Sequence, residues 1–325
     1  MRIGVFGAGA VGSHLAARLA LCGHEVSVLG RGAHLEAVRD RGLVLRSADG
    51  DRRAAVRAAG RPDELGPQPI LFVTVKAPAL RGLADRIRPM VDPDGLVVFA
   101  QNGIPWWYPV GQPSDTPSPP DLPSFELREE FLSVMSAGQI VGGIVKASSE
   151  VIAPGYVLSN SRSNSLLVGY VDDRSDARIV EFREALAASG FASPPVQSIR
   201  REVWLKLLRN MSSSSISAAT GSTTGAVKQD PRLAETFRRI VSEMMDVARA
   251  SGFPLVGLAD PDQMLAATDD VVPSLLQDLR LGRKVEVENL LEAPLRFARE
   301  RQVATPTTDA VVAIVRRLAA NKGLL

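Results

Sequence analysis

The sequence predicts an α/β fold that gives way to an all-helical portion. Three observations predict it. A glycine-rich turn, Gly7-Ala8-Gly9-Ala10-Val11-Gly12, follows an apolar run at the start of the chain. Short β-rich runs then alternate with helical patterns through the first half. From about residue 199 onward the periodicity is almost wholly helical. Together these give an N-terminal Rossmann-type nucleotide-binding domain over residues 1–198 and a helical C-terminal domain over 199–325, a division that suits 325 residues.

The opening run, residues 2–6, reads as a strand, and residues 13–21 as the helix behind it. That context turns G-x-G-x-x-G into a dinucleotide fingerprint. Gly7 permits the tight turn, Gly9 the close approach of backbone to a pyrophosphate, and Gly12 close packing of helix on strand. The anion would rest on the free N–H groups of the helix N-terminus. Residues 25–29 read as the second strand and end in Gly30-Arg31-Gly32. An NAD site places Asp or Glu here for the ribose 2′-hydroxyl. A guanidinium instead suits a 2′-phosphate, so NADP(H) is the expected cofactor, with a solvated turn arginine as the alternative.

Residues 69–75 and 95–100 continue the strand series, pointing to a mostly parallel, doubly wound sheet. Residues 140–144, 156–158 and 165–169 read as further strands in a less regular antiparallel portion. Residues 109–123, rich in Pro, Ser and Asp, read as a surface loop or a partly disordered insertion. The main helical candidates are 201–219, 230–251, 272–280 and 286–301, and no internal repeat is found.

Composition excludes several classes. A net charge of +2 with 23% charged residues suggests neither nucleic acid nor a membrane surface as partner. The single cysteine, Cys22, cannot form an internal disulfide, which fits a reducing compartment, and is expected as core filler. No signal peptide and no 18-residue apolar run are read, so the expected location is cytoplasmic. A homodimer is left open.

Missing residue types narrow the chemistry further. The three histidines, His14, His24 and His34, all lie near the fingerprint and are read as surface positions. Tyr108, Tyr156 and Tyr170 have no lysine four residues on, and no Cys/His cluster offers a metal site. A carbonyl reductase built from this chain needs a lysine or a carboxylic acid as proton donor. Lys206 and Asn210 share a helix face, Ser214 extends the row, and Trp204, Leu205, Leu207 and Leu208 surround the lysine. Partial desolvation would lower its pKa toward a useful range. The same spacing also describes an ordinary polar helix face.

Beyond these features the chain resembles the ketopantoate reductases (2-dehydropantoate 2-reductases) over nearly its whole length. The similarity lies in the fingerprint, Val75-Lys76-Ala77, Gln101-Asn102-Gly103, Val141-Gly142-Gly143, Pro154-Gly155, Val203-Trp204-Leu205-Lys206 with Asn210, Ser274-Leu275-Leu276-Gln277-Asp278, and Gly282-Arg283-Lys284-Val285-Glu286. The resemblance implies NADPH-dependent reduction of ketopantoate in the pathway to pantothenate. It implies Lys206 as catalytic proton donor and Glu286 as the acid that orients lysine and substrate. Asn102 would lie between nicotinamide and substrate, Asn210 and Ser274 would bind substrate, and Arg31 and Lys76 would contact the cofactor. The substrate would occupy a crevice between the two domains, hinged near Ser198.

Departures from the family pattern are also plain. Ser214 stands where a second asparagine is usual, Pro78-Ala79 comes after Val-Lys-Ala, and Leu291-Glu292 replaces an expected Asn-Gly. Pro105-Trp106-Trp107-Tyr108 adds aromatics that pack the loop or narrow the pocket mouth. Two other readings stay open: a reductase of the same architecture acting on another 2-oxo acid or an imine, or a non-catalytic NADPH-binding regulatory protein.

Arg31 generates a direct test. Losing a charge-assisted bond to a 2′-phosphate costs about 1.5–3 kcal/mol. Arg31→Ala should therefore weaken NADPH binding by roughly tenfold or more in a fluorescence titration. NADH binding should scarcely change, and equal losses for both cofactors would reject Arg31 as the reader.

Overall fold

The computed structural model describes residues 1–159 and 164–325. They form two compact units, Met1–Gln101 with Glu126–Ile199, and Asn102–Phe125 with Arg200–Leu325.

The first unit is built on a seven-stranded sheet. Its strands are β1 (Arg2–Phe6), β2 (Glu25–Leu29), β5 (Arg57–Ala59), β6 (Gln68–Val73), β7 (Val91–Phe99), β8 (Ile140–Lys146) and β11 (Ser165–Tyr170), in the order β11-β8-β7-β6-β1-β2-β5. All neighbours pair in parallel except β11, which runs antiparallel to β8. Parallel strands buried on both faces read as continuous apolar runs, which is why residues 69–73 and 95–99 were legible as strands. The strand order reverses at β1, so the crevice where open α/β sheets bind ligands lies at the ends of β1 and β6.

Helix α1 (Ala10–Leu21) carries almost no polar stripe because it is covered on two sides. One side faces the large sheet. The other faces a second sheet made of β3 (Leu43–Ser47), β4 (Gly50–Ala54), β9 (Ser149–Ala153) and β10 (Tyr156–Ser159), in the order β4-β3-β10-β9. Leu15, Ala16 and Leu19 share one core with Leu43, Leu45 and Val157. Helices α2 (Gly32–Arg41), α3 (Ala84–Ile87), α4 (Leu127–Leu132) and α5 (Ala177–Ala188) complete this unit. Of the second sheet, sequence analysis expected only β10, as residues 156–158; β4, Gly-Asp-Arg-Arg-Ala, is exposed along most of its length and shows no apolar alternation.

The second unit is helical among its described residues. It contains α6 (Ile199–Arg209, all but its first residue), α7 (Ser215–Thr220), α8 (Thr224–Gln229), α9 (Pro231–Ala250), α10 (Pro261–Ala266), α11 (Ser274–Arg280), α12 (Ala293–Glu300) and α13 (Pro306–Asn321). Residues 201–219 and 286–301, expected as unbroken α-helices, are each interrupted by a π-helical turn, Asn210–Ser214 and Glu288–Glu292.

Other expectations need correcting. Asn102–Phe125 groups with the second unit rather than with the rest of 1–198. Its aromatics explain this: Trp106, Trp107 and Tyr108 are at most 1% exposed, and Tyr108 packs edge-on against Phe253 and Phe297. The Pro-rich run 109–123 is a surface loop, the first of its two expected readings, anchored by buried Val110 and Leu122 and by Gln112 Nε2 donating to Thr116 Oγ1 at 2.7 Å. Cys22 is exposed at the end of α1, its thiol donating to Ala188 O, and fills no core. His14, read as a surface residue, is 1% exposed and accepts a 2.7 Å bond from Arg18 Nε.

Burial, and then the Arg18 guanidinium, push the His14 imidazole down to about 4. The folded state thus refuses a proton that the unfolded chain binds near pH 6.5. The stabilisation from neutral His14 is complete above about pH 6.5 and is lost as pH falls toward about 4, on the order of 3 kcal/mol over the window. Urea unfolding at about pH 7 and about pH 5 should show the wild-type chain losing about 2 kcal/mol more than His14→Gln. Equal losses would refute the burial argument.

Candidate active site

The fingerprint turn has the shape its sequence requires. Gly7 adopts a φ of +113°, a conformation L side chains rarely reach. A Cβ on Gly12 would lie 2.0 Å from Gly7 O and 2.5 Å from Thr74 Oγ1. A Cβ on Gly9 would meet nothing within 4 Å, so this position faces open space. Gly9 caps α1 without a side-chain bond, and the first turn holds no acidic residue. Free N–H groups, a positive helix end and open space fit a pyrophosphate. Thr74, just past β6, fixes the turn by donating to Gly7 O at 2.7 Å. Gln101 Nε2 donates to Val73 O at 2.8 Å and Val75 O at 3.0 Å, tying the ends of neighbouring strands.

Arg31 is exposed at the N-cap of α2, directly after β2 and Gly30. Its guanidinium has no partner among the described residues. Lys76 is exposed just beyond β6. The first unit therefore brings Gly7 to Gly12 to the switch point of the sheet, with Arg31 and Lys76 just past the flanking strands.

The second unit holds the remaining candidates. Half-buried Lys206, on α6, donates from Nζ to Asn102 Oδ1 at 2.6 Å. Asn102 is fixed by its neighbours: Gly103 has a φ of +80°, and a Cβ there would lie 2.2 Å from Asn289 O. Ile104 N donates to that same carbonyl at 2.9 Å. The Asn-Gly turn is thus fastened to the π turn Glu288–Glu292, which packs against the π turn Asn210–Ser214. π turns are rare and occur frequently at functional sites.

Asn210 opens the second of these turns, half-buried, and its amide has no partner among the described residues. Its serines divide sharply. Ser212, Ser213 and Ser215 each donate to the carbonyl four residues back, at 2.6, 2.9 and 2.5 Å. The Ser214 hydroxyl makes no such bond and has no partner among the described residues. Asn210 and Ser214 are therefore uncommitted donors and acceptors, one helix stretch beyond Lys206. Ser274 is exposed as the first residue of α11, and α11 packs against the 210–214 turn and α7. Glu286 is half-buried between α11 and the Glu288–Glu292 turn.

Sequence reasoning missed the support beneath the lysine. Arg200 is completely buried, with Nε donating to Tyr108 O at 2.8 Å and Nη2 to Val110 O at 2.5 Å. Trp204 Nε1 donates to Tyr108 OH at 2.9 Å, and the Trp204 ring stands edge-on to Phe297. Burial raises the Tyr108 pKa, keeping its hydroxyl neutral. Position 200 is four residues past Val196, at a helix start, where a charged residue reads as surface. Only the aromatics at 106–108 signal a core that could take it. Their role is packing.

Comparisons with known proteins bear on this arrangement. Residues 3–108 match the family model for ketopantoate reductase PanE/ApbA, and residues 198–319 match that for its C-terminal part. A 2-dehydropantoate 2-reductase from Mesorhizobium japonicum is 36% identical over 99% of both chains. The chain belongs to the ketopantoate reductase family. A structure from Ralstonia solanacearum MolK2, provisionally named a ketopantoate reductase, superposes with a TM-score of 0.87 at 29% identity, covering 100% of this chain and 99% of that one. D-mandelate dehydrogenase with NADH and anilino(oxo)acetate shares the fold, with a TM-score of 0.83 at 19% identity over both whole chains.

Gly103 tests the anchoring of Asn102. Gly103→Ala adds a left-handed residue conformation, which alone costs about 1–2 kcal/mol, and a methyl against the Asn289 backbone. Turnover should fall roughly tenfold or more while cofactor affinity, measured by titration, stays within about twofold. Unchanged turnover would show that the turn does not position Asn102.

Proposed function

We propose that this chain catalyses the NADPH-dependent reduction of a 2-oxo acid to a 2-hydroxy acid, with 2-dehydropantoate (ketopantoate) as substrate and pantoate as product. The observation that carries this reading is Lys206 seated on Asn102 at 2.6 Å, with uncommitted Asn210 and Ser214 on the same helical run. A cofactor-binding protein without chemistry needs no such lysine. The 36% identity with a 2-dehydropantoate 2-reductase over the whole chain supports the same substrate, in pantothenate synthesis. No described helix is long and apolar enough to cross a membrane, and a cytoplasmic enzyme acting on a small molecule agrees with that.

NADPH, when bound, supplies the hydride. Gly7 to Gly12 would hold its pyrophosphate, and Arg31 and Lys76 its adenosine phosphate end. Everything else falls to the second unit. Negative charge develops on the substrate's carbonyl oxygen, and the Lys206 ammonium stabilises it and then gives up a proton to it. Asn102 Oδ1 accepts from the ammonium and limits its rotation, which keeps one N–H direction for the substrate. Asn210, Ser214 and Ser274 hold the substrate by neutral hydrogen bonds, and Glu286 keeps the cation in place. Ser214 presents one hydroxyl where an asparagine would present an amide, so the side chain reaches less far toward the substrate and offers it fewer hydrogen bonds.

An NADPH-oxidation assay over a panel of 2-oxo acids tests the reading, with ketopantoate expected to give the highest kcat/KM. Lys206→Ala should lower kcat by roughly 10²–10⁴-fold, the usual range for acid–base catalysis, and leave NADPH affinity intact. Near-wild-type turnover in that variant would end the proposed mechanism.

A further inference from the structure

The cofactor unit contains a hydrogen-bonded relay centred on His34. The backbone N–H of Gly155 donates to His34 Nδ1 at 3.1 Å. An amide N–H can only donate, so Nδ1 offers its lone pair and the neutral ring carries its proton on Nε2. Nε2 lies 3.2 Å from Ser13 Oγ, and the Ser13 hydroxyl donates onward to Ala8 O at 3.1 Å. Ser13 is fully buried. Donation therefore runs in one direction, from the β9–β10 turn, through the first turn of α2, into the fingerprint loop.

That loop has a second tie. The amides of Gly7 and Ala8 both donate to Leu29 O, each at 3.2 Å, at the end of β2. Arg31 lies in the short link between these two ties. Its neighbours are Gly30 and Gly32, and Gly32 has a φ of +58°; the backbone is held here by Gly30 N donating to Ala59 O at 3.1 Å and, at 3.4 Å, by Leu35 N donating to Arg31 O. An exposed guanidinium on such a link needs bracing from elsewhere to be held in one place. The His34 relay is the side-chain brace on the first turn of α2, while Arg39 and Arg41 tie its last turn to Ala58 O and Pro154 O.

We infer that His34 is a positioning residue for recognition of the adenosine 2′-phosphate: its relay holds the first turn of α2, and with it Arg31, at a set distance from the pyrophosphate turn. This rests on the reading of Arg31 as the 2′-phosphate contact. In this role His34, bonded to Gly155 and Ser13, needs no contact with cofactor or substrate. Its effect passes through Arg31, and NADH, which lacks the 2′-phosphate, is largely indifferent to it.

The test is a double-mutant cycle on the full chain, with NADPH and NADH dissociation constants read by nicotinamide fluorescence. His34→Ala should weaken NADPH binding roughly three- to tenfold, the effect of one or two lost hydrogen bonds, and NADH binding less than about twofold. In the Arg31→Ala background the same change should weaken NADPH no further, because interacting residues are non-additive. His34→Gln, which keeps a donor toward Ser13, should recover part of the loss. Equal losses for both cofactors, or an undiminished loss in the Arg31→Ala background, would make His34 a general brace and overturn the inference. If Arg31→Ala fails to separate the two cofactors, the reading of Arg31 falls first and this proposal falls with it. Should His34→Ala not fold, His34→Gln and Ser13→Ala carry the same comparison.

Discussion

Where α1 crosses β1, the space is too small for any side chain at position 12: a methyl would lie 2.0 Å from the Gly7 carbonyl. This closeness sets much of the first unit. It seats the N-terminus of α1 at the reversal point of the sheet, directly behind β1. It also brings Gly7 O within reach of the Thr74 hydroxyl at the end of β6, which closes the gap between the two central strands. The buried helix then serves as a floor for the second sheet, so the same contact decides where β3, β4, β9 and β10 can pack. Each glycine gives the unfolded chain extra conformational freedom, which costs up to about 1 kcal/mol relative to alanine on folding, and the packing they permit offsets that cost.

The parts that could be read from the sequence are those where local chemistry decides the structure. Gly7, Gly9 and Gly12 were legible because each has a distinct steric reason; those of Gly7 and Gly12 are met in the folded chain, and Gly9 faces open space. The parallel strands were legible because they are buried on both faces. The second sheet, β10 apart, was not, since Arg52 and Arg53 of β4 are exposed and its neighbours β3 and β10 pair across a long stretch of chain. Neither was the membership of Asn102–Phe125 in the second unit, because Trp106, Trp107 and Tyr108 find their partners far along the sequence. His14 misled for a different reason: an imidazole can be buried once a neighbour such as Arg18 supplies its hydrogen bond.

For the lysine site, helical spacing alone proposed Lys206, Asn210 and Ser214 as one row. The three lie on one continuous helical run, but the π turn at Asn210–Ser214 departs from the α-helical spacing on which that row was read. No propensity scale signals such a turn. Three serines in and beside it are committed to backbone carbonyls, a habit that bends helices, and the matching π turn at Glu288–Glu292 carries the carbonyl that fastens Asn102's loop. Two irregular turns thus meet, one following Lys206 on its helical run and the other fastening the loop of its partner Asn102.

The split make-up of the second unit has a consequence during synthesis. Asn102–Phe125 leaves the ribosome well before Arg200, and the intervening Glu126–Ile199 belongs to the other unit. At about 5–20 residues per second, the indoles of Trp106 and Trp107 wait on the order of 5–20 s for the helix that begins at Arg200. Through that interval the nascent chain displays a cluster of aromatic rings beside a proline-rich tether. Such a cluster is a ready substrate for a hydrophobic chaperone cleft, and a ready nucleus for association between neighbouring polysomes. Arg200 ends the wait when its guanidinium reaches the carbonyls of Tyr108 and Val110.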